Sequence, residues 1–183
     1  MAAKTTISLE EFLKLPEAED DGTHYELDEG ELITLSPGGA VNSILAANIT
    51  VYLCQILDGA RYAVLTGEPG VILSDKPERA TVRGADVAVL PARPLEEFPE
   101  GFTREPFLLA VEIISKSNDP IDIERKKNQY LAAGVREVWL VYPKAGTIHV
   151  YRGSTAQVYT QGETFESALG VVIDTGDSFH ADR

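Results

Sequence analysis

Apolar positions along the chain change their spacing several times, and each change marks an element. Residues 7–15 (ISLEEFLKL) carry apolar side chains at helical spacing, with Ser8 as N-cap and Glu11 three positions on, the pattern of a capping box. HYEL (24–27) and ELITL (31–35) flank Asp28-Glu29-Gly30, which predicts a β-hairpin turning at Gly30. From Val41 to Leu57 the residues Val41, Ile44, Leu45, Ile49, Tyr52, Leu53 and Ile56 recur at three- and four-residue steps. That spacing predicts the first long helix, stopped by Asp58-Gly59. ARYAVLTGE (60–68) and GVILSD (70–75) are strand-like, and residues 78–91 contain a compact apolar strand, DVAVL. Residues 91–106 hold four prolines and no periodicity, so a surface loop is expected there.

FLLAVEIIS (107–115) is nearly continuous in apolar residues, as a central strand covered on both faces would be. Residues 119–134 follow as a helix with Asp119 at the N-cap, Pro120 at the first helical position and Gly134 just past the end. EVWLVY (137–142) is a second buried strand, so the unit is read as a right-handed parallel crossover. The short alternating segments 147–153, 156–162, 164–167 and 170–174 predict an antiparallel meander extending the sheet. Together these elements predict one α/β domain over residues 1–183, a mixed β-sheet flanked by helices with an antiparallel C-terminal meander.

Length and composition agree with that picture: 183 residues suit one hydrophobic core, and 44% hydrophobic with 25% charged residues is a globular balance. No apolar run approaches the roughly 20 residues of a membrane span, and residues 1–15 lack the apolar block of a signal peptide, so the cytoplasm is the expected location. Cys54 is the single cysteine and lies in an apolar helical stretch, where a buried packing role is expected. His24, His149 and His180 are scattered without zinc spacing. A net charge of −13 argues against a broad basic surface for nucleic acid. The charge is uneven, however: residues 1–35 carry −8, whereas residues 115–136 carry +2, so local anion binding stays possible.

The informative feature is charge out of place. Glu112 sits inside an apolar strand, where a carboxylate is costly to bury unless it is paired or bound to metal. Asp86 opens the other apolar strand. If the two strands are neighbours, both carboxylates can converge on one cation of the Mg²⁺ type, which is held by few protein oxygens plus water and phosphate. The alternative is that Asp86 caps a turn and Glu112 meets an arginine. Lys126 lies four residues after Asp122 and four before Tyr130, on one helix face. It can reach over the carboxylates and offset charge on a phosphate, or it can stand in solvent paired with Asp122. Phosphate loops, serine-hydrolase elbows and HExxH helices are absent.

The succession HYEL-DEGEL, SPGG before a helix, GADVAV, AVEIIS and DIERKKNQYLAAGVREVWLV resembles the Uma-two family of restriction-endonuclease-like proteins, in the PD-(D/E)XK nuclease superfamily. The match runs over nearly the whole chain and is most specific from Glu112 to Trp139. The resemblance implies a metal-dependent phosphodiesterase fold. It sets Asp86 at the family's metal-binding aspartate, Glu112 at its strand glutamate and Lys126 at the lysine moved onto the following helix. It also suggests Glu26, with Glu31 as fallback, as an auxiliary acid, and the Ile113 carbonyl as a further metal ligand. Two positions depart from the family pattern: Ala85 replaces the proline before the aspartate, and Asn42 replaces a histidine after Pro-Gly-Gly. Asparagine can hydrogen-bond but does not titrate near neutrality.

The function expected is therefore a Mg²⁺- or Mn²⁺-dependent nuclease acting on nucleic acid, DNA in the first instance. The rival expectation is a non-catalytic homodimeric binding or assembly module on the same fold, favoured by the acidity and by Asn42. A homodimer is also suggested by Tyr151, Tyr159, Phe165 and Val171, which present more apolar surface than one helix covers.

Overall fold

A computed structural model describes residues 5–16, 18–116, 118–176 and 179. A short helix, α1 (Leu9–Phe12), opens the chain under the expected capping box, in which Ser8 and Glu11 each satisfy the other's backbone N–H. The hairpin β1 (His24–Asp28) and β2 (Glu31–Leu35) turns through Glu29 and Gly30, both at positive φ (49° and 86°), the geometry of a tight two-residue connection. Helix α2 (Ala40–Ile56) follows, then β3 (Tyr62–Thr66), β4 (Gly70–Ser74), β5 (Thr81–Gly84) and β6 (Val87–Pro91). Strand β7 (Leu109–Ile113), helix α3 (Pro120–Ala132) and β8 (Glu137–Tyr142) form the crossover, and β7 and β8 pair in parallel. The chain ends in β9 (Thr147–Arg152), β10 (Thr155–Thr160), β11 (Thr164–Glu166) and β12 (Val172–Asp174).

The strands form two main sheets, where the sequence pattern suggests one. A six-stranded mixed sheet runs β10-β9-β8-β7-β6-β3, and a four-stranded antiparallel sheet runs β2-β1-β5-β4. The stretch 78–91, read as holding one strand, is two strands broken at Ala85-Asp86, and each half joins a different sheet. The expected meander is corrected in the same way. β9 and β10 extend the large sheet, but the three-residue strands β11 and β12 pair only with each other. Phe165 of β11 is buried edge-on against Trp139 and stacked on Tyr159, whereas Tyr151, Tyr159 and Val171 are half-buried and Val158 and Val172 stay exposed.

Alternation along the central strands assigns the two faces of the large sheet. Val87 and Val89 of β6, and Leu109, Val111 and Ile113 of β7, point into a core with Leu45, Ile49 and Leu53 of α2. Ala88, Leu90 and Ala110 face the other way, toward Tyr130 of α3. Glu112 alternates with Val111 and Ile113, so it lies on the α3 side. Asp119 caps α3 by accepting the Ile121 N–H at 2.7 Å, an arrangement worth about 1 kcal/mol. Gly134 leaves the helix at φ 97°, which a residue with a side chain rarely adopts. Cys54 is exposed, contrary to the expected packing role, because Ile49 and Leu53 define the buried face and Cys54 sits one step beyond it. His24 and His149 lie on β1 and β9; His180 is outside the described residues. Among the described residues no helix is long and apolar enough to cross a membrane.

Candidate metal and phosphodiester site

The site lies where the chain passes between the sheets. The β5-to-β6 passage is Ala85-Asp86, which sets Asp86 immediately before β6. Asp86 Oδ2 accepts the N–H of Ile113 at 2.6 Å, which ties the passage to the end of β7. Burial pushes the Asp86 carboxyl above its ordinary pKa, with that hydrogen bond and the Lys126 charge opposing.

Glu112 meets a lysine and a tyrosine, and no arginine. Lys126 Nζ donates to Glu112 Oε2 at 3.0 Å and stands 3.0 Å from Glu26 Oε1. Asp122 pairs with Arg125 at 3.3 Å, so Lys126 is drawn inward and its side chain is only 19% exposed. Tyr130 Oη lies 2.7 Å from the Gly84 carbonyl and 2.9 Å from Glu112 Oε1. A hydroxyl has one proton, so a protonated Glu112 can donate to Oη while Oη donates to Gly84. Burial raises the Glu112 pKa to about 7, the Lys126 charge opposing and Asp86 and Glu26 adding to the rise. Burial works against the Lys126 ammonium too, but Glu112 and Glu26 outweigh it and keep the lysine charged.

Glu26, from β1, is buried and held on three sides. Arg83 Nη1 lies 2.9 Å from Oε2, the Gly84 N–H donates to Oε1 at 2.9 Å, and Lys126 completes the set. Burial alone would raise its pKa, yet the Lys126 and Arg83 charges keep it below the ordinary value. A carboxylate so placed anchors Lys126. Arg83 also reaches Asp28 Oδ1 at 2.9 Å and donates from Nε to Gln129 at 2.8 Å, while Arg125 and Gln129 both donate to Asp28. This network fastens α3 to the small sheet and so fixes where Lys126 stands. Glu31, the fallback acid, is at the start of β2 and does not line the cavity.

These groups line a cavity of about 720 Å³ whose walls include Asp86, Glu112, Lys126, Glu26, Asn42 and Glu68. Asn42, at the position of the family histidine, donates to the Ile113 carbonyl at 3.0 Å and so binds the α2 N-terminal turn to the end of β7. Sequence reasoning missed Arg83, Asp28, His24 and Glu68, whose types in strands and turns carry no periodic signal.

The donor set fits a hard divalent cation. Asp86 and Glu112 offer hard carboxylate oxygens whose ionised forms repel one another, of the donor type that Mg²⁺-like cations take. Among the described residues no group of three or more His, Cys, Asp or Glu side chains is placed to hold a metal ion. Metal-free stability should carry the mark of this crowding. With its pKa raised to about 7, Glu112 favours the folded state below its ordinary value of 4.5 and loses that contribution as pH rises through about 7. Thermal melts at pH 5 and pH 8 are expected to show Glu112→Gln gaining on wild type at the higher pH; a constant difference would contradict the assignment.

A solved structure described as that of "a putative nuclease belonging to DUF820", from Anabaena variabilis ATCC 29413, superposes with a TM-score of 0.78. It is 19% identical over 94% of this chain and 97% of that one, which establishes a shared fold. No curated protein matches the sequence. The family model described as "Uma2: Putative restriction endonuclease" matches residues 9–175. The chain belongs to the Uma2 family of restriction-endonuclease-like proteins.

Proposed function

We propose that this protein is a Mg²⁺- or Mn²⁺-dependent nuclease that hydrolyses phosphodiester bonds of nucleic acid, DNA in the first instance. The observation that carries the reading is Lys126 Nζ, held 3.0 Å from both Glu112 and Glu26 on the wall of the cavity that Asp86 lines. Asp86, Glu112 and the Ile113 carbonyl would hold the cation. When bound, such a cation polarises a phosphodiester and lowers the pKa of a coordinated water. Lys126 stays charged and offsets the negative charge that grows on the phosphate. Glu26, fixed by Arg83 and the Gly84 N–H, keeps the lysine from swinging into solvent. The α2 N-terminus, capped by no side chain and free of acids in its first turn, borders the cavity and gives this acidic site a wall that tolerates an anion.

One observation favours a non-catalytic module: Asn42 already engages the Ile113 carbonyl. Calorimetric titration of Mn²⁺ into wild type and Asp86→Ala separates the two. Binding that the substitution abolishes is expected, followed by cleavage of plasmid or single-stranded DNA in Mn²⁺. No binding at millimolar Mn²⁺ would favour the module.

The assembly we propose is a homodimer joined through α2. Its seventeen residues include no charged side chain, and Val41, Ile44 and Val51 are each more than half exposed, on a chain of net charge −13. Two acidic chains meet at least cost through a surface that bears no charge. Light scattering is expected to give twice the chain mass for wild type and the single mass for Ile44→Glu; a monomeric wild type would dismiss the interface.

A further inference from the structure

Residues 115–136 carry a charge of +2 on a chain of −13, and the structure decides where that excess stands. Arg125, Lys126 and Lys127 of α3 all take carboxylate partners. Arg136 precedes β8, at the end of the parallel β7–β8 pair away from Ile113 and the cavity. Lys116 is at the near end.

The β7–β8 register gives Lys116 a neighbour. Ile113 pairs with Val141, and the Ile114 N–H donates to the Val141 carbonyl at 2.8 Å, so the two segments leave the sheet side by side. Lys116 and Lys144 each follow that pair by three residues. Both side chains are exposed, and among the described residues neither pairs with a carboxylate. Their amines meet, and Lys116 holds the Lys144 ammonium below its ordinary pKa. Two like charges brought together with no acid between them are relieved by an anion. The pair also stands at the mouth of the site. Ser115 and Asn118, on either side of Lys116, line the cavity, and Ser115 donates from N–H and Oγ to Asn118 Oδ1 at 2.7 and 2.8 Å, which fixes the segment to the rim.

The cavity wall itself is acidic, with Asp86, Glu112, Glu26 and Glu68, and Lys126 is held by two of these carboxylates. A polyanion therefore needs a cationic hold outside the wall, near enough to present one phosphodiester to it. We propose that Lys116 and Lys144 together bind a backbone phosphate of the nucleic-acid substrate at the rim of the cavity, beside the phosphodiester that reaches Asp86 and Glu112. The proposal rests on the nuclease reading above and adds to it the place where the strand is held.

The test is fluorescence anisotropy of a labelled DNA oligonucleotide, single-stranded and as duplex, titrated in EDTA over a range of salt with wild type and with the double variant Lys116→Gln/Lys144→Gln. Affinity is expected to fall by roughly ten-fold at low salt, and the slope of log affinity against log salt to become shallower by about one, the loss of one phosphate contact. In Mn²⁺ the double variant is expected to raise KM for cleavage by a similar factor with kcat nearly unchanged, because the pair grips the substrate away from the reacting atoms. Lys116→Arg/Lys144→Arg keeps both charges and is expected to bind as wild type. Lys76→Gln, an exposed lysine elsewhere, removes one charge and is expected to leave the slope unchanged. Wild-type slope and KM in the double variant, or a loss in Lys76→Gln equal to that in Lys144→Gln, would overturn this proposal and leave the nuclease reading standing. A wild type that neither binds DNA nor cleaves it in Mn²⁺ would overturn both.

Discussion

Lys126→Met is expected to slow metal-dependent phosphodiester cleavage by roughly 100- to 1,000-fold, the range seen when one preorganised group that stabilises developing charge is removed. The side chain bridges Glu112 and Glu26 at 3.0 Å each, and its charge is the principal influence holding the Glu112 pKa down against burial. Methionine fills a similar volume and supplies no charge. Mn²⁺ binding is expected to survive or tighten, since a cation next to the site has gone. Loss of rate with retained binding would place Lys126 in the reaction; loss of both would make it a structural counter-ion. Lys126→Arg is not expected to rescue the rate, because a planar guanidinium cannot occupy the one point between two carboxylates that the ammonium occupies. Single-turnover cleavage of plasmid DNA in Mn²⁺ reads the rate, and calorimetry reads the binding.

Arg83→Met is expected to be the most destabilising single change, by about 3–5 kcal/mol, the usual consequence of removing one partner from a buried ionic cluster. For a chain of this size that is a fall in Tm of roughly 10 °C or more. The Arg83 side chain is 6% exposed and serves Glu26, Asp28 and Gln129 at once. Its removal leaves two buried carboxylates short of a countercharge. The pH dependence should change with it. Glu26 and Asp28 have lowered pKa values, so in wild type they contribute stability above their ordinary range and lose it as pH falls through their folded values. In Arg83→Met that loss is expected to begin at higher pH. A triple variant with Glu26→Gln and Asp28→Asn should recover part of the stability, because the stranded charges are gone. Melts of the three proteins between pH 4 and pH 8 check this, and an Arg83→Met protein as stable as wild type would show that the cluster contributes nothing net.

The two substitutions separate what the cluster does from what the site does. Arg83 borders the cavity, but its guanidinium is engaged by Glu26, Asp28 and Gln129, so its loss acts on where Lys126 stands. Asp86 and Glu112 face one another's charge, and neutralising Glu112 relieves repulsion where neutralising Arg83 creates it. Opposite signs on metal-free stability at neutral pH are the fingerprint of a site built to receive a cation beside a network built to hold the scaffold.

Sequence alone determined those features that local chemistry enforces. Asp119, Pro120 and Gly134 bound α3 because capping, a fixed φ and a left-handed exit are properties of the residues themselves. The parallel β7–β8 pair follows from two apolar runs joined by that helix, and Glu112 stood out because a carboxylate in an apolar strand must find a partner. Tertiary structure decided which partner. Lys126 was equally able to meet Asp122 on its own helix, but Arg125 takes Asp122, and burial beside Glu26 and Glu112 takes Lys126. The division of strands between two sheets, the exposure of Cys54 and the bond from Asn42 to Ile113 depend on residues far apart in sequence. Periodicity reports which face of an element is apolar, whereas the pairing of charges across elements is set by register and by where the chain crosses from sheet to sheet, and neither leaves a local trace.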